Sequence, residues 1–213
     1  MKPYKTLIQR ADDEFIVNKS RFIGHGCPCE TEEEALKFLA EMREKYKDAS
    51  HNCYAYIIGT NMGVMRYSDD GEPGGTAGMP IIEVMKNRGV TNCCVVETRY
   101  FGGILLGAGG LVRAYTKGAA IALDAAGVGV MHPTSRYLMD VKYPMLSRLE
   151  YFLASAPVII EEKAFTDVVT VTLLVRTADA DDLVKNITDL SEGTIEPMLF
   201  EEFYRAWPEE END

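Results

Sequence analysis

The chain lacks any apolar run near the roughly 18 residues that a membrane-spanning helix needs, and Met1-Lys2-Pro3-Tyr4-Lys5 leads into no apolar signal-peptide core. No membrane role is expected, and the cytoplasm is the expected compartment. Among five cysteines (Cys27, Cys29, Cys53, Cys93, Cys94) there is no C-x-x-C pair, and the number is odd. Reduced thiols are therefore expected, and a zinc ribbon has no support. No Gly-Lys-Ser/Thr closes a phosphate loop, and no G-x-G-x-x-G opens a dinucleotide site, so a standard nucleotide fold is unsupported. Internal repeats are absent too. What is present is 46% hydrophobic and 26% charged residues in 213 positions, the composition of a globular protein of one large domain or two small ones.

Acid is also missing from one place. The net charge of −11 disfavours nucleic acid at first sight, because such binding rests on Lys and Arg neutralising phosphates. Residues 1–136, however, carry 16 Lys+Arg against 16 Asp+Glu, whereas 137–213 carry 6 against 17. All the excess acid lies in the last third. Residues 98–123 contain no carboxylate but hold Arg99, Arg113 and Lys117, so a local basic site is compatible with an acidic protein.

Hydrophobic periodicity predicts strands at 4–9, 14–18 and 20–27, then a helix over 32–47 announced by the capping-box pair Thr31 and Glu34. A hairpin of 53–58 and 63–67 follows. The Gly- and Pro-rich segment 68–80 reads as a loop, and Pro80 suits the first turn of a helix ending near Arg88. A strand at 93–97 delivers a second glycine-rich loop, 102–110, which feeds a helix over 109–126. His132-Pro133-Thr134-Ser135 reads as a joint. Beyond it the order strand 136–143, helix 144–155, strands 157–164 and 167–176, helix 179–190, strand 194–205 is the βαββαβ order of a ferredoxin-like domain. The expected organisation is thus α+β, with domains over 1–135 and 136–207 and a solvated acidic tail over 208–213.

Two constellations carry chemistry. In the second loop Gly102, Gly103, Gly107, Gly109 and Gly110 precede a helix bearing Arg113 and Lys117, and free N–H groups at a helix start favour phosphate. Tight turns and close packing would account for the same glycines. In the first loop Asp69, Asp70 and Glu72 would suit Mg²⁺ or a proton-transfer base, although Asp beside Gly71 is equally a turn signal. No other cofactor is called for. Tyr100, with Phe101, sits where a base would stack beside Arg99. His51 and Thr76 adjoin the same loops. If the loops form a site, Asp69, Asp70, Glu72, Thr76, Arg99 and Arg113 line one cleft, with N–H groups near Gly109 and Gly110 directed into it.

Taken together, Lys19-Ser20-Arg21-Phe22-Ile23, His51-Asn52-Cys53-Tyr54-Ala55-Tyr56, the run Asp69 to Pro73 with Gly75 to Pro80, and Arg99 to Tyr115 resemble the YigZ/IMPACT family. The resemblance covers nearly the whole chain. It implies an N-terminal domain of the type shared by ribosomal proteins, translation factors and small-molecule kinases, followed by a ferredoxin-like domain, a pair similar to the last two domains of elongation factor G. Two functions then fit. One is a translation-associated regulator binding RNA or the ribosome in a cleft of Arg99, Gly102, Gly103, Gly107, Gly109, Gly110, Arg113 and Lys117, lined by His51, Thr76 and Tyr100. The other is an enzyme acting on a small phosphorylated or nucleotide ligand in that cleft, with Asp69, Asp70 and Glu72 as catalytic groups. Oligomeric state is not legible in these residues.

Overall fold

The computed structural model describes residues 1–207. The chain forms two units, Tyr4–Val130 and Met131 onward with Met1–Pro3. The expected acidic tail over 208–213 lies outside the described residues.

In the first unit, strands β2 (Ala11–Val17), β3 (Ser20–Pro28), β4 (His51–Ile58), β5 (Val64–Ser68) and β6 (Cys93–Tyr100) form a sheet in the order β2-β3-β6-β4-β5, each neighbouring pair antiparallel. The short strand β1 (Tyr4–Leu7) precedes it, linked to the rest by a bridge between Lys5 and Val90. Asp12 and Asp13, which fall between the expected strands 4–9 and 14–18, lie inside β2, because pairing with His25 and Gly24 holds that backbone extended. Alternation splits the sheet between two cores. Cys53, Ala55, Ile57, Cys93 and Val95 face α2 (Gly78–Arg88) and α3 (Gly107–Ala126), while Tyr56, Ile58, Cys94 and Val96 face α1 (Glu32–Lys45). Adjacent Cys93 and Cys94 thus serve opposite faces as small buried groups.

Helix α1 begins where its cap pattern predicts. Thr31 accepts from the Glu34 N–H at 3.2 Å, and the Glu34 carboxylate accepts from the Glu30 N–H at 2.7 Å. Helix α3 starts at Gly107 rather than at 109. Gly109 and Gly110 are inside its first turns, where packing against the sheet through Leu111, Ala114, Tyr115 and Ala119 outweighs their weak helix preference of about 1 kcal/mol each. Among the described residues no helix is long and apolar enough to cross a membrane.

The second unit is the ferredoxin-like domain. Strands β7 (Val128–Val141), β8 (Val158–Phe165), β9 (Val169–Arg176) and β10 (Met198–Ala206) pair antiparallel in the order β10-β7-β9-β8. Helices α4 (Tyr143–Leu153) and α5 (Ala180–Leu190) bury Leu149, Leu153, Leu183 and Ile187 against Met139, Val141, Val171 and Leu173. The presumed joint 132–135 is strand, because Met131 to Thr134 pair with Ala206 to Phe203 of β10. Pro133 fits there because its fixed φ suits extended chain.

Candidate functional site

Two loops meet on the α2/α3 side of the first sheet, and a buried ion pair joins them. Arg99, near the end of β6, places Nη1 2.6 Å from Glu72 Oε1, with both side chains at least 94% buried. Tyr115 of α3 donates to the same oxygen at 2.8 Å. The Arg99 guanidinium lies over Phe22 and Phe101 at 5.4 and 5.5 Å and reaches Ser20 Oγ at 3.5 Å. Burial raises the Tyr115 hydroxyl far above its ordinary range, with Cys53 and Glu72 adding to the effect.

The three carboxylates expected to act together are dispersed. Asp69 accepts from the N–H groups of Gly75 (2.9 Å), Ala77 (3.0 Å) and Gly78 (2.8 Å), and so supplies the side-chain acceptor that Ala77 cannot give to the start of α2. Burial alone would raise its pKa, but these three hydrogen bonds to the charged form outweigh it and hold the group below its ordinary value. Asp70 accepts from the Asn52 N–H (2.7 Å) and from Arg43 (3.1 Å). Glu72 serves Arg99. The magnesium set and the catalytic trio are therefore not assembled, and among the described residues no group of three or more His, Cys, Asp or Glu is placed to hold a metal. The Cys53 thiol lies 3.0 Å from the Asp69 carbonyl oxygen and 3.4 Å from the Tyr115 hydroxyl; burial pushes it well above the ordinary range, which makes it a poor nucleophile.

The single cleft expected from the sequence is two concave places that share Leu106. The first, of about 460 Å³, is lined by His51, Glu72, Pro73, Arg99, Phe101, Leu105, Leu106, Gly107, Ala108 and Leu111, together with Ser50 and Gly71. The second, a shelf of about 340 Å³, is lined by Phe15, Ile16, Val17, Asn18, Leu106, Gly110, Arg113, Ala114 and Lys117. Arg113 and Lys117 are thus separated from Arg99, and Arg99 brings no free charge to a phosphate. Thr76 is buried with its hydroxyl on the Pro73 carbonyl at 2.6 Å, and Tyr100 donates to Asp48 at 2.9 Å; neither lines either of these two places. Sequence reasoning missed the apolar wall of Phe101, Leu105, Leu106 and Leu111, and the Tyr115 hydroxyl on Glu72. The signal in the sequence was an apolar run, Ile104-Leu105-Leu106, inside a glycine-rich loop.

Gly102 shows why that loop needs glycine. Its N–H donates to Ser20 Oγ at 3.1 Å, and a Cβ there would lie 2.0 Å from the Lys19 carbonyl carbon, backbone that cannot swing aside. Gly102→Ala is expected to destabilise the domain by about 1–3 kcal/mol in chemical denaturation, as overpacking does. A change below 0.5 kcal/mol would show the loop to be free to shift.

Residues 18–123 match the Impact N-terminal domain, and 139–194 match a domain of unknown function, DUF1949. The chain is 37% identical over 195 residues to the IMPACT family member YvyE of Bacillus subtilis, covering 89% of this chain and 88% of that one. It is 32% identical over 188 residues to the IMPACT family member YigZ of Escherichia coli, covering 87% and 92%. A crystal structure of a hypothetical protein, 30% identical, aligns with a TM-score of 0.61 over 94% of this chain and 98% of the other.

Proposed function

The chain belongs to the IMPACT family, and from that premise we propose that it is a translation-associated protein whose N-terminal domain binds RNA or ribosomal phosphates on the shelf between β2 and α3. The observation that carries the reading is the pair Arg113 and Lys117. They are exposed, one helical turn apart in the carboxylate-free stretch 98–123, and neither has an ion-pair partner among the described residues. Lys117 Nζ sits 4.5 Å from the Phe15 ring centroid, which steadies the ammonium without neutralising it. Unpaired cations on a helix face are what phosphate contacts use, since each releases condensed counterions from the nucleic acid. Leu105, 84% exposed, and Phe101 line the other cavity, which shares Leu106 with the shelf, as apolar contacts. The acid excess of the second domain directs any such partner to the first.

The test is a salt titration of binding to a short labelled single-stranded RNA. Affinity should fall steeply with added salt, and Arg113→Ala with Lys117→Ala should weaken binding to all sequences and reduce the slope of log K against log salt by about 1–2. An unchanged slope in the folded double variant would remove the shelf from RNA binding.

A further inference from the structure

The 460 Å³ cavity beside the shelf is lined by His51 and Glu72, whose Nε2 and Oε2 atoms lie 3.9 Å apart. His51 Nδ1 lies 2.9 Å from the Asp70 carbonyl oxygen. A carbonyl only accepts, so Nδ1 is assigned the proton, and in the neutral tautomer that leaves Nε2 as a lone pair. That Nε2 faces Glu72 Oε2 at 3.9 Å. Glu72 Oε1 already accepts from Arg99 and Tyr115, whereas Oε2 accepts no hydrogen bond from the described residues, although the side chain is 97% buried. Oε2 is not among the fully enclosed unpartnered atoms, so it remains reachable from the cavity, and an amino group placed at the cavity's end can give one hydrogen to each of these atoms.

The rest of the cavity narrows the choice of ligand. Its walls are Phe101, Leu105, Leu106, Leu111 and Pro73, and its volume lies within the usual range for small-ligand sites. Arg99 cancels the charge of Glu72, so a neutral aromatic amine suits the place better than an ammonium ion. At the mouth, Gly107 and Ala108 open α3, whose N-cap position is Leu106 with no side-chain cap, so free N–H groups stand ready for an acceptor on the same ligand. Leu106 borders both this cavity and the shelf of Arg113 and Lys117.

We propose that the cavity receives one unstacked nucleobase bearing an exocyclic amino group, whose neighbouring phosphate lies on the Arg113/Lys117 shelf. The inference rests on the RNA reading above for its phosphate, but its base recognition stands on His51 and Glu72. The amine is read by His51 Nε2 and Glu72 Oε2, and the ring packs against the apolar wall near Phe101, the mode by which splayed bases are bound elsewhere. Uracil, which has no exocyclic amine, is disfavoured. The same chemistry is carried by a base within an RNA strand and by a free nucleotide.

Both sources are tested at pH 8, above the ordinary histidine range. The probes are a uridine octamer, the same octamer with one central adenosine, and a third with purine riboside, which is adenosine without its amine; AMP and purine riboside monophosphate are measured alongside. The adenosine octamer is expected to bind roughly three- to tenfold more tightly than the other two, the usual weight of a hydrogen-bonded amine. His51→Asn, which keeps a donor for the Asp70 carbonyl but has nothing at the Nε2 position, should abolish that preference while leaving the salt slope unchanged. His51→Gln, which reaches that position, should restore part of it, and Ala108→Trp should block the mouth; melting curves confirm that each variant is folded. Arg113→Ala with Lys117→Ala should weaken all three octamers equally. Salt-dependent binding with no difference between adenosine and purine riboside overturns the base pocket and leaves the RNA reading intact. Binding of AMP over its amine-free analogue, lost in His51→Asn, with no octamer bound, retains the pocket for a free nucleotide and overturns the RNA reading. No binding of any probe overturns both.

Discussion

Glu72→Ala is expected to destabilise the N-terminal domain by about 3–5 kcal/mol in urea denaturation, the effect of leaving a buried guanidinium without its carboxylate. Arg99 is 95% buried, its Nε already lacks a partner among the described residues, and Ser20 Oγ at 3.5 Å is a weak substitute. The Tyr115 hydroxyl loses its acceptor in the same variant. The double variant Glu72→Met/Arg99→Met should recover most of the loss, because removing both charges also removes the desolvation that each incurs. A single-variant loss below 1 kcal/mol would mean that water reaches Arg99 and that the two loops are not tied together by this pair.

A second large effect concerns pH. Glu97 of β6 is fully buried, neither carboxylate oxygen has a hydrogen-bond partner among the described residues, and burial alone raises its pKa well above the ordinary 4.5. The folded state therefore prefers the protonated group, and its stabilising effect is lost as pH rises through the folded pKa. His25 has the opposite sign. Burial lowers it from 6.5 to about 4, so stability held above pH 6.5 is lost as pH falls toward 4. Asp69, also held low, adds to the acid loss.

Each such group contributes a slope of about 1.4 kcal/mol per pH unit where its folded and unfolded forms differ in protonation. Between pH 4.5 and 6.5 the slopes of Glu97 and His25 have opposite signs and offset each other. The native chain should therefore lose stability relative to Glu97→Gln by about 1.4 kcal/mol per unit as pH rises from 4.5 toward the raised folded pKa of Glu97. Parallel curves would show Glu97 to be ionised and solvated in the folded protein. The close fit is set by Gly118, where a Cβ would lie 2.2 Å from Glu97 Oε2.

Much of the fold was legible because it depends on local signals. The Thr31 cap, the 3.6-residue period of Phe38, Leu39 and Met42, and the alternation through β4 and β6 all act within a few residues of chain. The βαββαβ order was readable for the same reason. Boundaries slipped where a distant strand decided them: β10 extends β7 back through Pro133, and pairing of Arg99 with His51 and Phe22 carries β6 past Glu97 to Tyr100.

The sequence by itself determined that two glycine-rich loops lie beside bases and carboxylates, and that 98–123 carries positive charge without negative. Which of those charges is free was decided only by tertiary structure. Glu72 and Arg99 are 27 positions apart, and Tyr115 is 43 from Glu72, so nothing local could reveal that the three share one buried oxygen. Asp69 looked like a ligand and is a cap for α2, because three N–H groups converge on it once the loop closes. Arg113 and Lys117 remained in solvent because α3 turns Ala114, Tyr115 and Gly118 to the sheet and leaves the intervening positions outside. A charge is a property of a residue type; its availability depends on desolvation and pairing, which only the folded chain sets.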